Sequence, residues 1–234
     1  MKHLIETANP SGLAITEYDR LILNSTTNDV LVRGGVNTEY VDLGLSVKWA
    51  KCNLGAKTET DYGDYFQWGE TTPDTDYTWA TYKYCNGTYD TLTKYNPDGY
   101  YGTVNNKTTL DPEDDAARAK MGGDWRMPTR DELLELYNNT TNEWVTNFNS
   151  TGVNGRKFTS KTDKNKYIFI PASGYYEGGS VRAVGEEGCV WSSSLTPLNN
   201  YYTPHAWGSC FISMNGALSR MNRCYGQSVR GVRK

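Results

Sequence analysis

The sequence predicts an α+β domain, and three observations carry the prediction. Strand-like segments lie toward both ends, two helix-initiating signals occupy the middle, and the stretches between are long and rich in Gly, Asn, Asp and Thr. Helices grouped apart from strands argue against the βαβ alternation of a parallel sheet and leave the terminal strands free to pair in one sheet.

The elements follow in order. Residues 1–35 are polar, and within them LILN and DVLV, separated by Ser25, Thr26, Thr27 and Asn28, predict a small hairpin. An isolated hairpin is marginal unless it packs or assembles, so this stretch reads as an attachment or oligomerisation segment. A leader without fixed structure and an ordinary first hairpin of the main domain remain as alternatives. The main domain is 36–234. In it Val41, Leu43, Leu45, Val47 and Trp49 alternate with Asp42, Gly44, Ser46 and Lys48, which predicts one half-buried antiparallel strand. Residues 50–110 read as a long wrapping loop with aromatic islands.

A first helix is predicted over 111–119, with Asp111 as cap, Pro112 at the first helical position and Glu113, Asp114 and Asp115 over the positive end of the dipole. A second starts at Thr129, whose spacing to Glu132 is that of a capping box; Leu133, Leu136 and Tyr137 share a face, and Asn138-Asn139 ends it. Lys166–Pro171 reads as a central strand, 173–179 as a Gly-rich turn and Cys189–Ser193 as a strand. From His205 onward AWGSCFIS, ALSRMN and SVRGVR read as further strands, separated by turns at Asn215-Gly216 and near Gly226.

Composition narrows the chemistry. With 24 basic and 27 acidic residues in 234, the net charge of −3 supplies no field for a phosphate backbone, so nucleic acid is not an expected partner. No apolar run approaches the ~20 residues of a membrane span, and the first twenty residues lack a signal-peptide core. Aromatic residues at 13% exclude wholesale disorder, and many of the 18 Tyr are expected at the surface. Five widely spaced cysteines without a CxxC indicate neither a zinc site nor a disulfide framework; buried thiols are expected. Histidine occurs only at positions 3 and 205, and His205 with Ser209 lacks any elbow or oxyanion signature, so no catalytic residue is predicted. The acids at 111–115, and Asp61, Asp64, Glu70, Asp74 and Asp76, read as helix-start and turn residues. A structural calcium is the one cofactor they suggest.

Four pieces in order resemble the C-type-lectin-like superfamily: VDLGLSVKWA from Val41, GGDWRMPTRDEL from Gly122, WSSS from Trp191 and GQSVRGVR from Gly226. The branch they resemble holds the Fibrobacter succinogenes major paralogous domain, the variable proteins of diversity-generating retroelements and formylglycine-generating-enzyme-like domains. The resemblance implies a small twisted antiparallel sheet, two helices and extensive irregular loops. In that setting Trp125 anchors the helix entry, Arg126 pairs inward and Pro128-Thr129 start the helix.

For function, the resemblance implies a non-enzymatic ligand-binding protein with a variable surface in the C-terminal strands. Apolar residues fall on both sides of the strand from His205 to Met214, so either it is buried on both faces or one face is a binding patch. Trp207, Cys210, Ile212, Met214, Ser219, Arg220, Met221, Cys224 and Tyr225 are the expected contact positions, flanked by Tyr201, Tyr202 and His205. The implied partner is a cell-surface protein or glycan, with a phage tail or a bacterial surface as the setting and trimerisation through residues 1–35 as a further expectation. The enzyme reading, a cysteine oxidase of the formylglycine-generating type, needs a cysteine pair and copper. This chain departs from that pattern: Cys210 and Cys224, 14 positions apart, are the nearest pair in the sequence, so folding alone would have to assemble the dithiol.

Overall fold

The computed structural model describes residues 20–23, 30–33, 36–196 and 204–234. Strands β1 (Arg20–Leu23) and β2 (Val30–Arg33) pair antiparallel as the sequence suggests; the rest of 1–35, and with it the expected trimerisation, lies outside the described residues.

The predicted strand over 41–49 is instead a tight hairpin. β3 (Tyr40–Val41) and β4 (Lys48–Ala50) pair with each other, and the chain turns back between them through Gly44 at φ 77°, a left-handed conformation open to glycine. The inward alternation survives the turn: Leu43, Val47 and Trp49 are buried, while Asp42, Gly44 and Ser46 are exposed. β15 (Val232–Arg233) adds to β4, so the two ends of the main domain meet in one three-stranded sheet.

The long stretch after β4 contains one short strand, β5 (Tyr65–Phe66), and wraps an aromatic core of its own. Tyr77, Tyr82, Tyr84, Tyr95 and Tyr101 are buried, while Tyr40, Tyr89 and Tyr100 are exposed, so the expectation of surface tyrosines holds for only part of the set. Three of the hydroxyls find partners inside, Tyr77 on the Tyr65 carbonyl, Tyr82 on the Trp68 carbonyl and Tyr95 on Asp114, which offsets the cost of burying them.

The first predicted helix begins later than its sequence suggests. Pro112–Asp114 form a 3₁₀ turn, and helix α1 (Ala116–Met121) is capped by Asp115, which accepts from the Arg118 amide. Helix α2 (Arg130–Asn139) starts with the full capping box of Thr129 and Glu132. Arg126 grips the same Glu132 through Nη1 and Nη2 at 2.7 and 2.5 Å, and its backbone pairs with Val232. Trp125 is buried beside them, so the segment Trp125–Thr129 joins helix entry to the terminal sheet as the motif suggests.

β6 (Thr140–Val145), β7 (Gly155–Ser160) and β8 (Tyr167–Pro171) form a second three-stranded sheet. β8 is its edge and not a central strand. Its run is apolar because both of its faces are covered, Ile168 and Ile170 packing in the cluster with Leu133 and Leu136 and Phe169 stacking on Phe148, while Arg230 donates to the Phe169 carbonyl along the edge. β9 (Tyr175–Glu177) and β10 (Ser180–Arg182) form a hairpin, so the stretch 173–179 expected to be a turn contains a strand and the reversal is confined to Gly178-Gly179. The largest sheet is mixed and runs β13-β12-β11-β14-β5, with β11 (Gly188–Leu195), β12 (His205–Phe211), β13 (Gly216–Asn222) and β14 (Gln227–Ser228). SVRGVR is thus split between two sheets, with Arg230 turned inward between them. A few separate sheets and two helices make the class α+β.

Candidate ligand-binding surface

The hairpin β12–β13 forms one end of the largest sheet, and its register sorts the candidate residues. Trp207 faces Arg220, Ser209 faces Leu218 and Phe211 faces Gly216; the intervening pairs are Ala206 with Met221, Gly208 with Ser219 and Cys210 with Ala217. Side chains alternate across a strand, so these two sets point to opposite faces.

The first face lies against α2. Phe211 and Leu218 pack with Leu133 and Leu136, and the Ser209 hydroxyl bonds the Tyr137 hydroxyl at 2.9 Å. Toward the open end of this face Trp207 is half-buried, with the Arg220 guanidinium 4.9 Å and the Arg130 guanidinium 5.1 Å from its ring centroid. His205 and Ser209 are four residues apart on one strand, about 13 Å at ~3.3 Å per residue, too far for a direct proton relay.

The second face meets the aromatic core. Ala206 is fully buried and Met221 packs against the same cluster. A Cβ on Gly208 would lie 2.8 Å from the Val190 carbonyl and 3.1 Å from Gln227 Oε1, so the close approach of β12 to its neighbours needs glycine there. Cys210 is joined to Cys189 by a disulfide, which corrects the expectation of thiols alone; Cys52 and Cys224 are buried thiols and Cys85 is half-buried. Glu187 reaches to 3.5 Å from the Cys189 sulfur, and burial pushes its carboxyl up. The ligand atoms of Glu187, Cys189 and Cys210 lie within 4.8 Å of one another, a donor set for a soft cation only when the sulfurs are reduced.

The hairpin tip is anchored and apolar. The Ile212 amide donates to Asn215, and Arg156 of β7 donates Nη2 to the Ile212 carbonyl at 3.0 Å and Nη1 to Asn142 at 2.8 Å, with its guanidinium over Phe211. On this fixed turn Ile212 is 38% and Met214 88% exposed.

The expected contact positions therefore do not form one patch. Ile212, Met214 and Arg220 are exposed, Trp207 and Ser219 are partly covered, and Met221 packs inward. Cys224, 2% exposed in the aromatic core, is corrected from contact residue to core residue, and Cys210 is corrected from a free side chain to half of a disulfide. Tyr225 turns away to stack on Tyr175, centroids 5.9 Å apart, and donates to Glu177. Tyr201 and Tyr202 lie outside the described residues. Arg130, Arg156 and Glu187 join the site from distant segments, and no local spacing announces them.

Several of the acids weighed for calcium have protein partners. Asp111 bonds Lys94 and Lys107, Asp114 bonds Lys94 and Tyr95, and Asp61 accepts from the amides of Lys57 and Thr58. Among the described residues no helix is long and apolar enough to cross a membrane. Comparison with protein-family models, with curated proteins and with solved structures finds no match.

Proposed function

We propose that this chain is a non-enzymatic binding protein whose C-terminal hairpin, β12–β13, is the recognition surface. The observation that carries the reading is the hairpin tip: two large apolar side chains, Ile212 and Met214, stand in solvent on a turn held by Arg156. Covering a side chain of this size against a partner would contribute up to about 1.5–3 kcal/mol, and Ile212 and Met214 offer two within one turn. Apolar and aromatic side chains on a fixed turn bind at small entropic cost.

The scaffold reading is a C-type-lectin-like fold of the variable-protein branch. It is supported by terminal strands that meet in one sheet, two helices, long loops and the DWRMPT segment at the helix entry. The partner in this reading is a cell-surface protein or glycan, and the setting is a phage tail or a bacterial surface, with residues 1–35 as the attachment segment.

Glycan and bacterial-surface arrays probed with the parent chain and with Met214→Glu and Ile212→Asp test the reading. Ligands of the parent should be lost by at least tenfold in affinity in both variants, with the melting temperature unchanged. Array ligands indifferent to both substitutions, or no ligand at all, would reject the surface.

A second reading has one observation in its favour. Folding brings Cys189 and Cys210 together, which sequence spacing does not, and a cysteine oxidase of the formylglycine-generating type requires such a pair. Copper-dependent oxygen consumption with a Cys-containing peptide, lost in Cys210→Ser, would favour it over binding.

A further inference from the structure

We infer that Glu187, Cys189 and Cys210 make a zinc site that forms when the Cys189–Cys210 disulfide is reduced. The site is independent of the recognition role proposed for the hairpin, and it needs neither copper nor oxygen, so it stands apart from the oxidase reading as well.

The three donors share one side of one strand pair. Cys189 and Cys210 are register partners on β11 and β12 with Cα atoms 4.2 Å apart, and Glu187, two residues before Cys189, projects to the same side of its chain. Their ligand atoms lie within 4.8 Å of one another, and a Glu187 carboxylate oxygen is already 3.5 Å from the Cys189 sulfur. A tetrahedral zinc with Zn–S bonds of ~2.3 Å holds its sulfurs about 3.8 Å apart, a separation that opposed cysteines reach by side-chain rotation once the bond between them is gone. The backbone around them is fixed. The Glu187 amide donates to the Ala183 carbonyl at 2.9 Å and its carbonyl accepts from the Gly174 amide at 2.7 Å, while Gly188 with Phe211 and Val190 with Ser209 pair on either side of the cysteines.

The carboxylate itself lacks such support. Half-buried, it meets no cation among the described residues, and a disulfide sulfur has no proton to give it. Reduction changes its neighbours. One thiolate of a dithiol reductant displaces a cysteine sulfur to give a mixed disulfide, and its second displaces the other, so the reductant leaves as a disulfide and the chain carries two thiols. Zn²⁺ then displaces the two thiol protons to water and takes the carboxylate as third ligand. Cys189 is fully buried, whereas Cys210 and Glu187 are half-buried, which leaves an approach for the cation and a fourth position for water. Two thiolates among three donors favour zinc over the hard cations calcium and magnesium.

The test uses the full chain, either oxidised or reduced with dithiothreitol and desalted without oxygen, and Co²⁺ as the probe, followed by its thiolate-to-metal charge-transfer absorbance. The reduced parent should bind one equivalent, which Zn²⁺ displaces, and the oxidised parent none. Cys210→Ser should abolish the band and Glu187→Gln should weaken binding at least tenfold, while Cys85→Ser, at the half-buried thiol, should leave it unchanged. Glu187→Gln keeps the disulfide and both sulfurs, so it decides the matter even where Cys210→Ser fails to fold. Near-UV circular dichroism of the reduced parent should match that of the oxidised one. Equal cobalt binding by both redox forms, none by the reduced form, indifference to Glu187→Gln, or a loss in Cys85→Ser as large as in Cys210→Ser would overturn the site. So would collapse of the near-UV spectrum on reduction, since the donors meet only while β11 and β12 are paired.

Discussion

Cys189 and Cys210 sit opposite each other on β11 and β12, Cα atoms 4.2 Å apart, and their disulfide fastens the outer hairpin to the middle of the largest sheet. The bond closes a loop of 21 residues, containing the segment 197–203 that precedes the hairpin.

Closing a loop of that length removes about 3 kcal/mol of unfolded-state entropy. The double substitution Cys189→Ala, Cys210→Ala should therefore lower the melting temperature by roughly 6–12 °C, measured calorimetrically against the parent with and without reductant. Thiol titration of the denatured, unreduced chain should find three free cysteines, Cys52, Cys85 and Cys224. In the native state Cys224 should resist alkylation, because burial pushes its thiol up to about 12.

Arg230 is fully buried and donates to Asn53 Oδ1 and to the carbonyls of Ala50, Lys51 and Phe169, tying the loop after β4, the C-terminal segment and the edge of β8 at one point. Arg230→Met leaves those four acceptors unpaired. It should cost about 3–5 kcal/mol in urea unfolding, and Arg230→Lys, with three donors and no fork, should recover only part of that.

Asp111 is held down to about 2 by hydrogen bonds from Lys107 and Lys94. Its folded value lies below the unfolded one of ~3.9, so its stabilisation is fully present above pH 4 and lost as pH falls through 2. Asp114 shifts in the same direction: burial opposes its ionisation, but bonds from Lys94, Tyr84 and Tyr95 outweigh burial. Acid unfolding followed by circular dichroism should accordingly begin at higher pH in Lys94→Met than in the parent. An unchanged onset would mean the network contributes nothing.

Thr129→Ala removes the hydroxyl that caps the Glu132 amide and frees Glu132 from half of its reciprocal bond. A loss of about 1 kcal/mol is expected in equilibrium unfolding. Glu132→Ala should cost more, since Arg126 loses its carboxylate as well.

How much was legible in the sequence varies by element. Helix α2 was readable to the residue, because a capping box and an i, i+3, i+4 apolar face are local patterns. The helix before it was misplaced, since Asp111 and Asp115 are equally good caps on local grounds. Only the Met127 amide, which Asp115 also accepts, selects the second. The alternation at 41–49 correctly named the buried residues and missed the reversal at Gly44, because inward and outward positions keep their order around so tight a turn. In the β12–β13 hairpin, the period of two separated Trp207 from Cys210, but nothing in it foretold that Arg130 and Arg220 would flank the same indole.

By itself the sequence determined the α+β class, the start of α2, the position of the β12–β13 turn and the absence of a basic or membrane-spanning stretch, all of which depend on neighbours along the chain. Tertiary structure alone decided which cysteines bond, which tyrosines are buried, where Arg230 spends its donors and which hairpin residues reach solvent. Those outcomes depend on groups far apart in sequence, brought within a few ångströms only when apolar surfaces close on one another, and local propensity carries no information about that distance.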